Sequence, residues 1–354
     1  MNLLRFVFPS LLFASCIAPA AAEPPVGKVP LLVAFGHGDR TVVSLDDGKT
    51  WVANQYVDDG EPDDKRYSEH QMRAIDLKYD NGVFVKWLGW NGPVKISRST
   101  NGVDWQIVAD RNQDWAWSGG GADGVFLYGV GRSAWRSTDG ATTWTETDPG
   151  VRIGHTKFIH GDEAEDRWVK YGDGKIAYST DNGVTWTEGK LSDPEKSYCL
   201  KGDGAYGDGQ FVIVGNRGAK GARGPYLGCW SSDGGKTWQL SNEIEDRPAG
   251  VLWTGDRFLL YARNGVVLES DSGKHWTKVE EATSNTRGFN SFTRTDKGTF
   301  IAIEGSGGKP KAGTKTEVFR STDGLNWDVV SFDAPGDQLA FVEFGYGEKP
   351  AVSE

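Results

Sequence analysis

One pattern of apolar and polar positions recurs along almost the whole chain. A turn of Asp, Asn and Gly leads into a short apolar run, a polar loop follows, and a second run ends at another polar turn. Val83, Phe84 and Val85 follow Asp80-Asn81-Gly82, Val125, Phe126 and Leu127 follow Asp123-Gly124, and Phe211 and Val212 come shortly after Asp208-Gly209. Gly255-Asp256 precedes Phe258, Leu259 and Leu260, and Lys297-Gly298 precedes Phe300, Ile301 and Ala302. Short apolar runs bounded by such residues predict β-strands joined by tight turns. The first run, 30–35, has no strand before it, whereas residues 338–344 have strand pattern with no unit of their own.

A second motif closes each unit. The pattern S-x-D-x-G-x-T-W is complete at 44–51, 179–186 and 231–238, nearly so at 137–144 and 269–276, and one residue shorter at 99–105 and 321–327. The seven closing tryptophans are 38 to 54 residues apart, close to the length of a four-stranded propeller blade. In such a turn the Ser and Asp side chains bond the backbone, Gly takes positive φ, and Trp folds under the loop as an apolar plug. The constellation resembles the Asp-box, or bacterial neuraminidase repeat, and the resemblance to that sialidase-like superfamily covers nearly all of the chain after its leader. It implies a β-propeller. Sialidases, other glycosidases and lyases, sorting receptors and photosystem assembly factors share the repeat, so it implies fold rather than function. Each unit reads as inner strand, turn, second strand, loop, third strand, box and outer strand. With the C-terminal strand completing the first unit, the expectation is an all-β, single seven-bladed β-propeller over 23–354. A closed ring would hide its sheet edges.

Composition agrees. The 354 residues include 48 glycines and 15 tryptophans with only 38% apolar residues, which argues against a helical or doubly wound protein. An all-β fold of this length needs no second domain. Residues 1–22 carry a basic start at Arg5, an apolar run at 6–17 and Ala20-Ala21-Ala22, the pattern of an export signal and too short for a membrane span. Acylation at Cys16 is the alternative. A secreted or periplasmic monomer without an integral span is expected. Against 39 Lys and Arg stand 49 Asp and Glu, a net −10 that disfavours nucleic acid and anionic membranes as partners. Cys199 and Cys229 fall on the inner and third strands of one unit, about 10 Å apart, beyond the roughly 7 Å a disulfide spans, and are expected to be free. No zinc spacing, phosphate loop or nucleophile elbow occurs, so neither cofactor nor metal is expected.

The unit order locates candidate chemistry. Boxes and the turns after the inner strands share one face, so the box carboxylates Asp46, Asp139, Asp181, Asp233, Asp271 and Asp323 read as structural. The other face gathers His37, Arg40, His70, Arg73, Trp90, Asn91, Trp115, Arg132, His155, Tyr198, Arg217 and Arg263. Arginine pairs with carboxylate bidentately and aromatic faces stack on pyranose rings, so this set points to an acidic, uronic-acid-type oligo- or polysaccharide. For a lyase, His37, His70 and Tyr198 would move protons while arginine stabilises the enolate. Arg40 and Arg73 lack the Ile-Pro that follows arginine in the sialidase motif. A glycoside hydrolase using Asp59, Asp63, Asp64 or Glu69 with Asp114 is a second possibility, and a non-catalytic propeller that binds a glycan or protein, or assists assembly, is a third. His160 should face the boxes.

Overall fold

The computed structural model describes residues 24–55, 73–89, 94–111, 116–130, 133–147, 150–161, 167–218, 223–280, 282, 288–289, 291–305, 315–334, 336 and 338–351. Their strands form seven antiparallel blades around a central channel. Blade one is closed as expected: its innermost strand is the C-terminal Leu339–Gly347, paired along its length with Val29–Gly36, followed outward by Thr41–Ser44 and Val52–Gln55. The innermost strands of blades two to seven are Ala74–Asp80, Ala116–Ala122, Lys157–His160, Gly202–Gly207, Pro248–Trp253 and Ser291–Arg294. Among the described residues only blade five gains a fifth strand, Lys190–Leu191, parallel to its outer strand Thr237–Ile244.

The core lies between blades. Trp87 and Val85 of blade two meet Phe126 and Tyr128 of blade three, and similar layers repeat round the ring. At the channel wall the neighbouring strands approach too closely for two side chains. A Cβ on Gly345 would stand 2.2 Å from the Tyr79 ring, and one on Gly207 would stand 2.1 Å from Trp253. At both places an aromatic ring of the next blade occupies the space that glycine leaves, which accounts for part of the glycine excess.

The box turns follow the sequence reading. In blade one, Asp46 accepts from the Thr50 amide at 2.9 Å and its hydroxyl at 2.7 Å, while Ser44 accepts from the Gly48 amide at 2.9 Å. Trp238 and Trp327 donate their indole N–H groups back to the carbonyls of Gly235 and Gly324. Blade six corrects the register: Ser270 accepts from the Gly273 amide, three residues on, so this is a short box in which Ser272, not Asp271, takes the carboxylate position. Neighbouring boxes are latched by arginine. Arg320 of blade seven reaches Asp47 of blade one at 2.7 Å, and Arg136 donates to the Asn182 carbonyl at 2.8 Å.

Burial is the largest single influence on the box carboxylates and opposes their ionisation, but the hydrogen bonds from the Thr, Ser, Asn and backbone groups of each turn together outweigh it. Asp139 and Asp323 are held at about 2, and Asp46, Asp181 and Asp233 are also lowered. Folded values below the unfolded 3.8 mean that this stabilisation is complete above about pH 4 and is lost as pH falls towards 2. Burial raises Asp80 and Glu343, which act in the opposite sense, but with Asp47, also lowered, six carboxylates stand against two. Melting followed by circular dichroism should therefore show stability falling steeply over that acid window. A flat profile there would contradict the box assignment.

Both cysteines are free and fully buried. The geometry differs from the sequence reading: Cys199 lies in the 3₁₀ turn Pro194–Leu200 that precedes the inner strand, and its thiol is within hydrogen-bonding reach of Cys229. Burial, then that thiol, pushes Cys229 well above its ordinary value.

Candidate functional site

The innermost strands enclose a cavity of about 710 Å³. Its mouth is on the face opposite the boxes, because each innermost strand starts there and ends beside the box face. Two contacts fix the box face: His160, the last residue of its strand, meets Asp123 at 2.9 Å in the turn after another inner strand, and Asp47 of a box accepts from Thr295 and Thr299 beside a turn after an inner strand.

Arg73, Lys78, Lys157 and Arg263 line the cavity, against the carboxylates of Asp76 and Asp203. Both carboxylates are committed. Asp76 accepts from the Gly119 amide of blade three at 2.9 Å and lies 3.1 Å from Lys78. Asp203 accepts from the Val251 amide of blade six at 3.1 Å and lies 3.6 Å from Lys157. Lys78 also meets Glu343 at 3.0 Å. Burial works against its charge, but Asp76 and Glu343 more than compensate and raise its pKa. Although deep in the wall, Lys78 keeps 30% of its side chain open to the channel. Nearer the mouth, Trp117 packs against His155 with ring centroids 3.9 Å apart and the rings tilted by 45°, and His155 Nδ1 is 2.8 Å from Asp173.

His37 also lines the cavity. It is buried, in the 3₁₀ turn His37–Asp39, and its Nδ1 accepts from the Ala74 amide at 3.1 Å. With Nδ1 used as an acceptor, the neutral ring carries its proton on Nε2. His37 is thereby a donor, and acting as a base would cost it the Ala74 bond. Tyr171, another lining residue, is held well above its ordinary value by burial and then by Asp203, which disfavours the tyrosinate a lyase would use.

The cavity thus brings together His37, Arg73 and Arg263 of the residues singled out in the sequence, with His155 packed against Trp117 at its edge. Arg40 is elsewhere: almost wholly buried, it donates to Thr316 Oγ1 at 2.7 Å and the Ala334 carbonyl at 3.1 Å, joining blade one to blade seven. Tyr198 packs between blades four and five rather than lining the cavity, and Arg217 is exposed away from it. His70, Trp90, Asn91, Trp115 and Arg132 lie outside the described residues, as do the leader and the acidic run 58–64. Trp117, Lys157, Asp76 and Asp203 were missed. All stand within the first three residues of an innermost strand, so strand direction was the signal that could have found them. Among the described residues no group of three or more His, Cys, Asp or Glu is placed to hold a metal ion, and no helix is long and apolar enough to cross a membrane.

No protein-family model matches the chain, and no curated protein matches it. Solved structures do. A functionally unknown protein from Desulfotomaculum acetoxidans is similar with TM-score 0.57 and 8% identity, covering 91% of this chain and 100% of that one. YCF48 bound to D1 peptide is similar with TM-score 0.51 and 16% identity over 72% of this chain and 80% of that one. Apo AztD from Citrobacter koseri has TM-score 0.50 and 10% identity over 92% and 100%. Likeness at these identities establishes the propeller fold alone.

Proposed function

We propose that the mouth of the channel binds an acidic carbohydrate of the uronic-acid type. The observation that carries this reading is the lining of the cavity: Arg73 and Arg263 stand with Lys78 and Lys157, the lysines paired with Asp76, Glu343 and Asp203, beside an aromatic platform at Trp117. Cations draw the ligand's carboxylates in, and the indole offers a face to a sugar ring. Binding is favoured over catalysis because His37 is a donor, Tyr171 is held protonated and Tyr198 is outside the cavity. A lyase or hydrolase would have to draw its proton-transfer groups from the His155–Asp173 pair at the edge of the cavity or from His70, which lies outside the described residues.

Calorimetric titration of uronic-acid oligosaccharides against neutral counterparts tests the reading. Trp117→Ala and Lys157→Ala should each weaken binding of the acidic ligand about tenfold, equivalent to about 1.4 kcal/mol. Equal affinity for neutral glycans, or unchanged binding in both variants, would refute it. New reducing ends or an unsaturated product in the same mixtures would replace binding by turnover.

A further inference from the structure

Beside the central cavity, blades five and six enclose a second cleft of about 460 Å³, lined by Arg223, Tyr226, Glu245, Asp246, Arg247 and Arg263. Arg263 lines both spaces. We infer that Arg247 and Arg263 form an oxyanion clamp in this cleft, a subsite for a carboxylate or sulfate group on a ligand reaching out of the central cavity. The extended ligand rests on the binding reading above, whereas the clamp stands on its own geometry.

The two arginines are fixed side by side by their backbones: the Arg263 amide donates to the Arg247 carbonyl at 2.9 Å, and Arg247 Nε donates to the Asn216 carbonyl at 3.0 Å. That last bond uses Nε alone, and among the described residues no hydrogen bond or ion pair is found for the terminal nitrogens of Arg247, which lines the cleft. Among the described residues no carboxylate meets either guanidinium, although Asp246 is close by. Asp246 instead accepts from the side-chain Nδ2 of Asn264 at 2.7 Å. Two like charges are therefore neighbours without a shared counter-ion. Burial, followed by repulsion from Arg247, lowers the pKa of Arg263. An oxyanion bridging both would relieve that repulsion and satisfy two forks at once.

Equilibrium dialysis of inorganic sulfate and of galacturonate, at constant ionic strength, tests the clamp and separates its two sources. At least one of the two probes should bind in one equivalent that Arg247→Met and Arg263→Gln both weaken tenfold or more, with melting temperatures kept near wild type. Arg247→Lys, which keeps charge without the fork, should recover only part of the affinity. The same equivalent should survive in Lys157→Met, whose change lies in the central cavity. Wild-type binding of both probes in Arg247→Met, or loss of the equivalent in Lys157→Met, would overturn a separate clamp. A clamp that persists while uronate oligosaccharides ignore Lys157 would support this inference and refute the central-cavity reading.

Discussion

Removal of residues 338–354 should abolish the soluble, folded protein. The deletion takes the innermost strand of blade one, which exchanges eight register pairs with Val29–Gly36 and carries buried Leu339 and Val342. At roughly 1.5–3 kcal/mol for each buried large side chain, those two residues alone contribute about 3–6 kcal/mol. That is a large part of the roughly 5–15 kcal/mol by which a domain is stable. The partly buried Phe341 and Phe344 add to it. The loss also uncovers the edge of Val29–Gly36, a template for pairing with another chain. Size-exclusion chromatography should show aggregate, and a permuted chain with 338–347 moved ahead of residue 24 should recover the elution position of the intact chain. A soluble deletion variant with native near-ultraviolet circular dichroism would show that the ring does not depend on this strand.

The second large effect is expected at Lys86. Its ammonium lies 2.8 Å from Asp39 and 4.1 Å from the centre of the Trp105 ring, with only 4% of the side chain exposed. Burial lowers its pKa while Asp39 works to keep it charged. Lys86→Met keeps the apolar stem but leaves the Asp39 carboxylate without its cation, in the turn that also holds His37 and Arg40. Loss of one partner of a buried pair costs about 3 kcal/mol or more. Chemical denaturation should show a drop of that size, and the double variant Lys86→Met, Asp39→Asn should recover part of it. A single variant as stable as wild type would mean that the pair contributes nothing.

The fold was legible because each box is a local device. Ser44, Asp46, Gly48 and Thr50 satisfy one another within a few residues, so repetition of the motif reports repetition of the turn. Closure was legible too, since an unpaired first run and a surplus last strand complete one another. Side chains at the mouth depend instead on neighbouring blades. Nothing around Lys157 in the sequence points to Asp203, and the approach of the two follows only from adjacent inner strands. Tyr198 was drawn towards the mouth by its place before an inner strand, but the extra strand Lys190–Leu191 and the turn Pro194–Leu200 carry it outward. The Asp271 register failed because Ser270 can open a short box just as Glu269 can mimic the start of a long one.

The closing strand also imposes an order in time. Blades two to seven can each complete their hydrogen-bonded sheets as synthesis proceeds, but blade one must wait for residues 339–347, made more than three hundred positions after its neighbour Val29–Gly36. Until then the second-strand edge of blade one stays open, so the circular fold is committed only once residues 339–347 have been made.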